Sequence, residues 1–159
     1  MVRKIGLILL MGILITSCKN ESKEQPKSKT KEAVGYEMLP ADILRKMWNE
    51  AESLDYIFHH LPFSMNQTEK PSIQANMTYI EQAPQPNVPQ GCTPAARQFY
   101  QVNGNIELEA DIYFSEGCYF YVFIIDGKPK YANKMSEAGK NFFNTMINKA
   151  KEATQGAGQ

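Results

Sequence analysis

Glu107, Glu109 and Asp111 stand two residues apart in the stretch IELEADIYF, with Ile106, Leu108, Ala110, Ile112 and Phe114 between and around them. On a strand the three carboxylates share one face, neighbours about 7 Å apart. That separation suits a calcium ion, or the acid and base of an inverting glycosidase. It is also what the solvent face of any half-buried strand looks like, so chemistry would require the three groups to converge in a cleft. His59 and His60 are the two histidines. Adjacent residues on a helix point about 100° apart and cannot grip one metal as an i, i+4 pair does; the expected role is at a helix C-terminus, interacting with its dipole. No glycine-rich phosphate loop and no c-type haem attachment motif is present. The residues therefore point to no catalytic group, metal or cofactor.

Tyrosines offer a second kind of chemistry. Tyr113 closes the carboxylate strand, and Tyr119 and Tyr121 alternate along the next apolar run, CYFYVFII. The segment SEG between them is a hairpin turn of one of two lengths. A three-residue loop with Gly117 left-handed pairs Tyr113 with Tyr119, Asp111 with Tyr121 and Glu109 with Phe123, and sends Cys118, Phe120, Val122 and Ile124 to the buried face. A two-residue loop puts the carboxylates beside Phe120, Val122 and Ile124 instead. The first register separates the apolar set from the charges and is the one expected. It makes Tyr113, Tyr119, Tyr121, Glu109 and Asp111 one polar-aromatic surface, with Phe123 and Ile125 extending it, suited to binding a protein or a sugar. The competing expectation is that this face is covered by a second layer.

The elements that must position these residues follow from periodicity. Pro40 suits a first helical turn, and Leu44, Met47, Ala51, Leu54 and Phe58 recur at three and four, which predicts a helix to about His60, stopped by Pro62. From Phe63 to Pro94 the chain carries prolines at 71, 84, 86, 89 and 94. This predicts an irregular connector, strand-like only over Asn76–Glu81. Its tract QAPQPNVPQGCTP is expected to be a rigid covering loop, with a polyproline docking role as the alternative. RQFYQV, IELEADIYF, CYFYVFII and KPKYAN are strand candidates separated by NGN, SEG and DG, which is hairpin chemistry. A last helix begins near Ser136 as N-cap and carries Phe142, Phe143, Met146, Ile147 and Ala150. The expected class is α+β: an antiparallel meander of four to five strands with an N-terminal and a C-terminal helix on one face.

At the other end of the chain, Arg3 and Lys4 precede an apolar run, Ile5 to Ile15, too short to span a bilayer. Then comes Ile15-Thr16-Ser17-Cys18, which resembles the lipobox of bacterial lipoproteins. The resemblance implies that signal peptidase II cuts before Cys18, that this thiol carries a diacylglyceryl group, and that the new amine is acylated. Several acyl chains anchor stably, at about 0.8 kcal/mol per buried methylene. Lys19, where an aspartate would favour inner-membrane retention, implies the outer membrane. In an exported protein the remaining pair, Cys92 and Cys118, reads as a disulfide; two separate buried thiols are the alternative.

Residues 1–17 are thus the expected signal peptide. Residues 18–35, with five lysines and three glutamates after Cys18 and hardly a large apolar residue, form a tether. Residues 36–155 make one domain and 156–159 a frayed tail. The mature chain has 15 basic and 17 acidic residues, a net charge of −2, which argues against nucleic acid. The function expected is a non-catalytic, lipid-anchored binding module of the cell envelope, contacting an envelope protein or glycan. The alternatives are a carrier of a small apolar ligand, lined by Met47, Trp48, Phe120 and Phe142, and an envelope hydrolase using the strand carboxylates.

Overall fold

The computed structural model describes residues 35–156, with side chains to residue 152. The signal segment, Cys18 and most of the tether lie outside them. Ten elements follow in order: α1 Ala41–Glu50, β1 Ser53–Phe58, β2 Ser64–Gln67, α2 Lys70–Met77, β3 Ile80–Pro84, β4 Pro94–Val102, β5 Asn105–Ser115, β6 Cys118–Ile125, β7 Lys128–Met135 and α3 Glu137–Gly156. The strands form one antiparallel sheet in the order β2-β1-β4-β5-β6-β7-β3. The α+β class and the meander of β4 to β7 match expectation; the sheet has seven strands where four to five were expected, and there is one helix more.

Turn chemistry holds the meander. Val102 pairs with Asn105 around Asn103-Gly104, and Ile125 with Lys128 around Asp126-Gly127. In both loops the two central residues have positive φ, from 50° to 74°. That is the type I′ geometry whose twist matches the flanking strands, and asparagine or aspartate before glycine adopts it at least cost.

The helices lie on one face, above Leu54, Tyr56, Tyr100, Leu108, Ala110, Ile112, Tyr121 and Phe123. Met47 from α1, Ile73 and Met77 from α2, and Phe143 from α3 complete that core. Phe143 meets Tyr56, Phe114 and Tyr121 at ring separations of 5.7 to 6.5 Å, so α3 crosses strands far apart in the sheet. Burying one such ring stabilises by about 1.5–3 kcal/mol. Ser136 caps α3 as expected: its Oγ accepts from the Gly139 N–H at 3.2 Å. A Cβ on Gly139 would stand 2.8 Å from the Cβ of Tyr79 and 2.9 Å from Met135 Cγ, so a glycine there lets the first turn lie close on the sheet.

Two expectations are corrected. The first helix ends at Glu50, not near His60, because Ala51 is extended (φ −62°, ψ 129°) and Ser53–Phe58 is a strand burying Leu54, Tyr56 and Phe58. Residues 54 and 58 are four apart, which fits a helix and an alternating strand alike, and only Tyr56 between them reveals the period of two. Lys70 closes the helix by donating to the Asn49 and Ala51 carbonyls at 2.7 and 3.0 Å. Similarly, the stretch from Phe63 to Pro94 holds β2, α2 and β3 as well as the irregular residues 85–93. Pro71 stands in the first turn of α2, where its missing N–H costs nothing, and Asn76 and Met77 end that helix rather than opening a strand.

The edge at β3 is irregular and is repaired by one buried side chain. Asn133 accepts from the Leu39 N–H and donates to the Glu81 carbonyl, both at 2.8 Å. It thereby ties the N-terminal segment and β3 to β7, across a register shift that would otherwise strand polar groups.

Candidate functional site

The second face of the sheet, away from the helices, can be read row by row from the strand register. One row runs Asn66, Asp55, Phe99, Glu109, Ile124 across β2, β1, β4, β5 and β6; the next runs Ser64, Ile57, Arg97, Asp111, Val122, Ala132, ending on β7. The rows change from polar, through charged, to apolar.

The apolar end is sealed. Cys118, Phe120, Val122 and Ala132 form a second buried cluster, against which pack Val88 and Cys92 of residues 85–93, Tyr36 of the N-terminal segment and Tyr113 of β5. The cover is dictated by topology. Residues 85–93 leave β3 at one edge and must reach β4, four strand spacings away, about 19 Å. Nine extended residues span at most about 30 Å, and α2 and α3 occupy the other face, so the chain passes over β7, β6 and β5. The disulfide Cys92–Cys118 fastens this connector to the first residue of β6, with Cα atoms 5.8 Å apart. Tyr113 stacks on Phe120 at 4.4 Å and 17°, at the border of the covered zone; burial, then the nearby Asp111 charge, pushes its hydroxyl pKa above the ordinary value.

The tyrosine surface expected from the sequence is not assembled. Ser115 pairs with Cys118, so the loop is Glu116-Gly117, two residues long, and Tyr113 faces Phe120, Asp111 faces Val122 and Glu109 faces Ile124. Tyr113, Glu109 and Asp111 lie on the second face; Tyr119 and Tyr121 point to the helix side. Tyr121 is buried there at 1% exposure, and Tyr119 packs partly buried against the same core. Because β6 is apolar on both faces, separating apolar residues from charges does not distinguish the two loop lengths.

Charges in the middle rows are engaged with one another. Arg97 pairs with Asp111 through Nε to Oδ1 at 2.7 Å and a second N–H to Oδ2 at 3.1 Å, and approaches Glu109 at 3.7 Å. Hydrogen bonding to Asp111 raises the guanidinium pKa further. Glu107 leaves the group, since a shift in the β4–β5 register precedes Leu108, and accepts instead from Lys46 of α1 at 2.6 Å. The three carboxylates do not converge. His59 and His60 are exposed in the bend after β1 rather than at a helix end. No group of three or more metal-ligating side chains able to hold an ion occurs among the described residues.

The polar end of the same face is open. Ile57 and Ile106 are 51% and 53% exposed. With Phe99, Asp55, Asn66 and Gln101 they line a cleft of ≈ 370 Å³. Asp55 accepts from Asn66 at 2.6 Å on one carboxylate oxygen and from Gln101 on the other. Asp55 and Ile57 were hidden from sequence reading by the helix assigned to 40–60, and with them the cleft; their alternation against Leu54, Tyr56 and Phe58 was the available signal.

Elsewhere, a polar recess of ≈ 690 Å³ between α1 and α2 is lined by Lys70, whose ammonium is occupied with helix carbonyls. A shallow groove of ≈ 240 Å³ runs beside Trp48, which is 40% exposed. Met47, Trp48, Phe120 and Phe142 do not line a common cavity, because Phe120 lies across the sheet from the helices. Among the described residues no helix is long and apolar enough to cross a membrane. In comparisons with models of protein families, with curated proteins and with solved structures, the chain matches none.

Proposed function

We propose that this chain is a lipid-anchored, non-catalytic binding module of the cell envelope, held by Cys18 and presenting the open half of its second sheet face. The observation that carries the reading is the contrast within that face: the connector and its disulfide seal the apolar half, while Phe99, Ile57 and Ile106 stay accessible beside oriented polar groups. Accessible apolar residues rimmed by polar ones mark interaction sites. The pairing of Arg97 with Asp111 and Glu109, and of Lys46 with Glu107, supports a role without catalysis.

Two measurements test this. Intact mass of the processed protein should show acylated Cys18 as first residue, and Cys18→Ala should release the protein from membranes. Purified and added back to envelopes at a concentration far above that in the fractionation, the released protein should be retained in the pellet, and Ile57→Lys together with Phe99→Ala should abolish that. Equal sedimentation of this double variant, or none by the parent, would refute the binding reading.

A further inference from the structure

We infer that the open cleft is a saccharide site that takes an uncharged sugar ring with neighbouring hydroxyls; this rests on the binding-module reading and gives its ligand a class. Asp55 spends its carboxylate oxygens on Asn66 Nδ2 and Gln101 Nε2, and so fixes two side-chain amides. Among the described residues, each amide keeps one N–H and its carbonyl oxygen without a protein partner. A free donor and a free acceptor on one group suit a hydroxyl, which is itself both, and two such amides held on one carboxylate suit a pair of hydroxyls on one ring. Phe99, Ile57 and Ile106 provide the apolar wall against which the C–H surface of a sugar packs.

Charge selects against anions. Asp55 lies in the cleft, and Glu109 and Asp111 stand beyond it with Arg97 as their shared cation, so phosphates and uronates meet net repulsion. The volume, ≈ 370 Å³, is at the small end of ligand sites, which run from about 300 to 1,000 Å³. A peptide laid as an added strand would use a sheet edge with pockets for alternate side chains; this cleft lies on the face.

The test is a titration of the chain from residue 18 onward, carried as Cys18→Ala so that no detergent is needed, followed by amide NMR. The probes are chitotriose, cellotriose and maltotriose, with trigalacturonate as the anionic control. At least one neutral trisaccharide at about 10 mM, ample for a millimolar Kd, should shift the amides of residues 55, 57, 66, 99 and 101. Asn66→Ala and Gln101→Ala, both outside the core, should each weaken binding about tenfold with the rest of the spectrum unchanged. Absence of shifts at these residues with every neutral probe, equal affinity in both variants, or tighter binding of trigalacturonate would overturn the assignment. If envelopes are still retained through Ile57 and Phe99 while no sugar binds, the glycan assignment fails and the binding module stands. If sugar binds but the processed protein carries no acyl group on Cys18, the saccharide site stands and the lipid anchor falls.

Discussion

On β6 and β7 the second face of the sheet lies under the proline-rich connector; on β2, β1 and β4 the same face meets solvent. The difference begins in side-chain pattern. β6 places Tyr121 and Phe123 on the helix side and Cys118, Phe120 and Val122 on the other, so both its faces demand cover. β1 places Leu54, Tyr56 and Phe58 inward but Asp55 outward, with Ile57 half exposed beside it. A strand with one apolar face leaves a surface, and a strand with two must be enclosed. The connector reaches only the strands it has to cross, so the open half is what its path leaves over.

Targeted changes can probe this contrast, and the largest effect is expected on the helix side. Tyr56, Tyr100 and Tyr121 are fully buried, and burial raises all three hydroxyl pKa values well above the ordinary 10. Their stabilising contribution is complete below pH about 10 and falls as pH rises toward the folded values, because only the unfolded chain releases those protons. Each contributes up to about 1.4 kcal/mol per pH unit, so the three together should unfold the protein steeply in alkali. Tyrosinate absorbance should rise together with loss of circular dichroism; ionisation of all three in a folded protein would contradict the buried placement.

On the covered half, Phe120→Ala should cost about 3–5 kcal/mol in urea unfolding, whereas Phe99→Ala on the open half should cost less than half as much. Equal losses would erase the distinction between the halves. Replacing Cys92 and Cys118 together by alanine opens a loop with a sequence separation of 26, which chain entropy values at about 3.5 kcal/mol. The connector should then be cut first in limited proteolysis, and non-reduced parent protein should weigh two protons less than reduced.

Smaller effects are expected where the face is solvated. Arg97→Ala removes the Asp111 pair, itself part-exposed, and should destabilise by about 1 kcal/mol or less. Ile57→Lys should leave stability within about 0.5 kcal/mol while weakening envelope binding. A large stability loss from this substitution would show that the open half is covered in solution.

Legibility varied by region. From β4 onward the elements were read correctly, because alternation, the turn dipeptides and the Ser136 cap all agreed. Before β4 they were misread in two places. Leu54 and Phe58 fit two periods at once, and the prolines from 71 to 94 suggested disorder of pattern where Pro71 in fact starts a helix. The candidate surface fared worst, since Tyr119 and Tyr121 changed face with a single residue of loop length.

Local order along the chain was enough for the four-strand meander with its hairpin turns and for the capped terminal helix, and with them the α+β class. These rest on local demands, such as turn chemistry, a period of two and an orphan N–H needing a cap, that a few neighbouring residues satisfy; the partnering of Cys92 with Cys118 followed instead from cysteine count in a chain expected to be exported. Long-range packing was needed to settle where α1 stops, which loop length sets the β5–β6 register, and which half of the second face remains open. For β6, apolar on both sides, either register buries enough surface, and the choice falls to the turn at Gly117 and to a connector forced across the sheet by the position of β3.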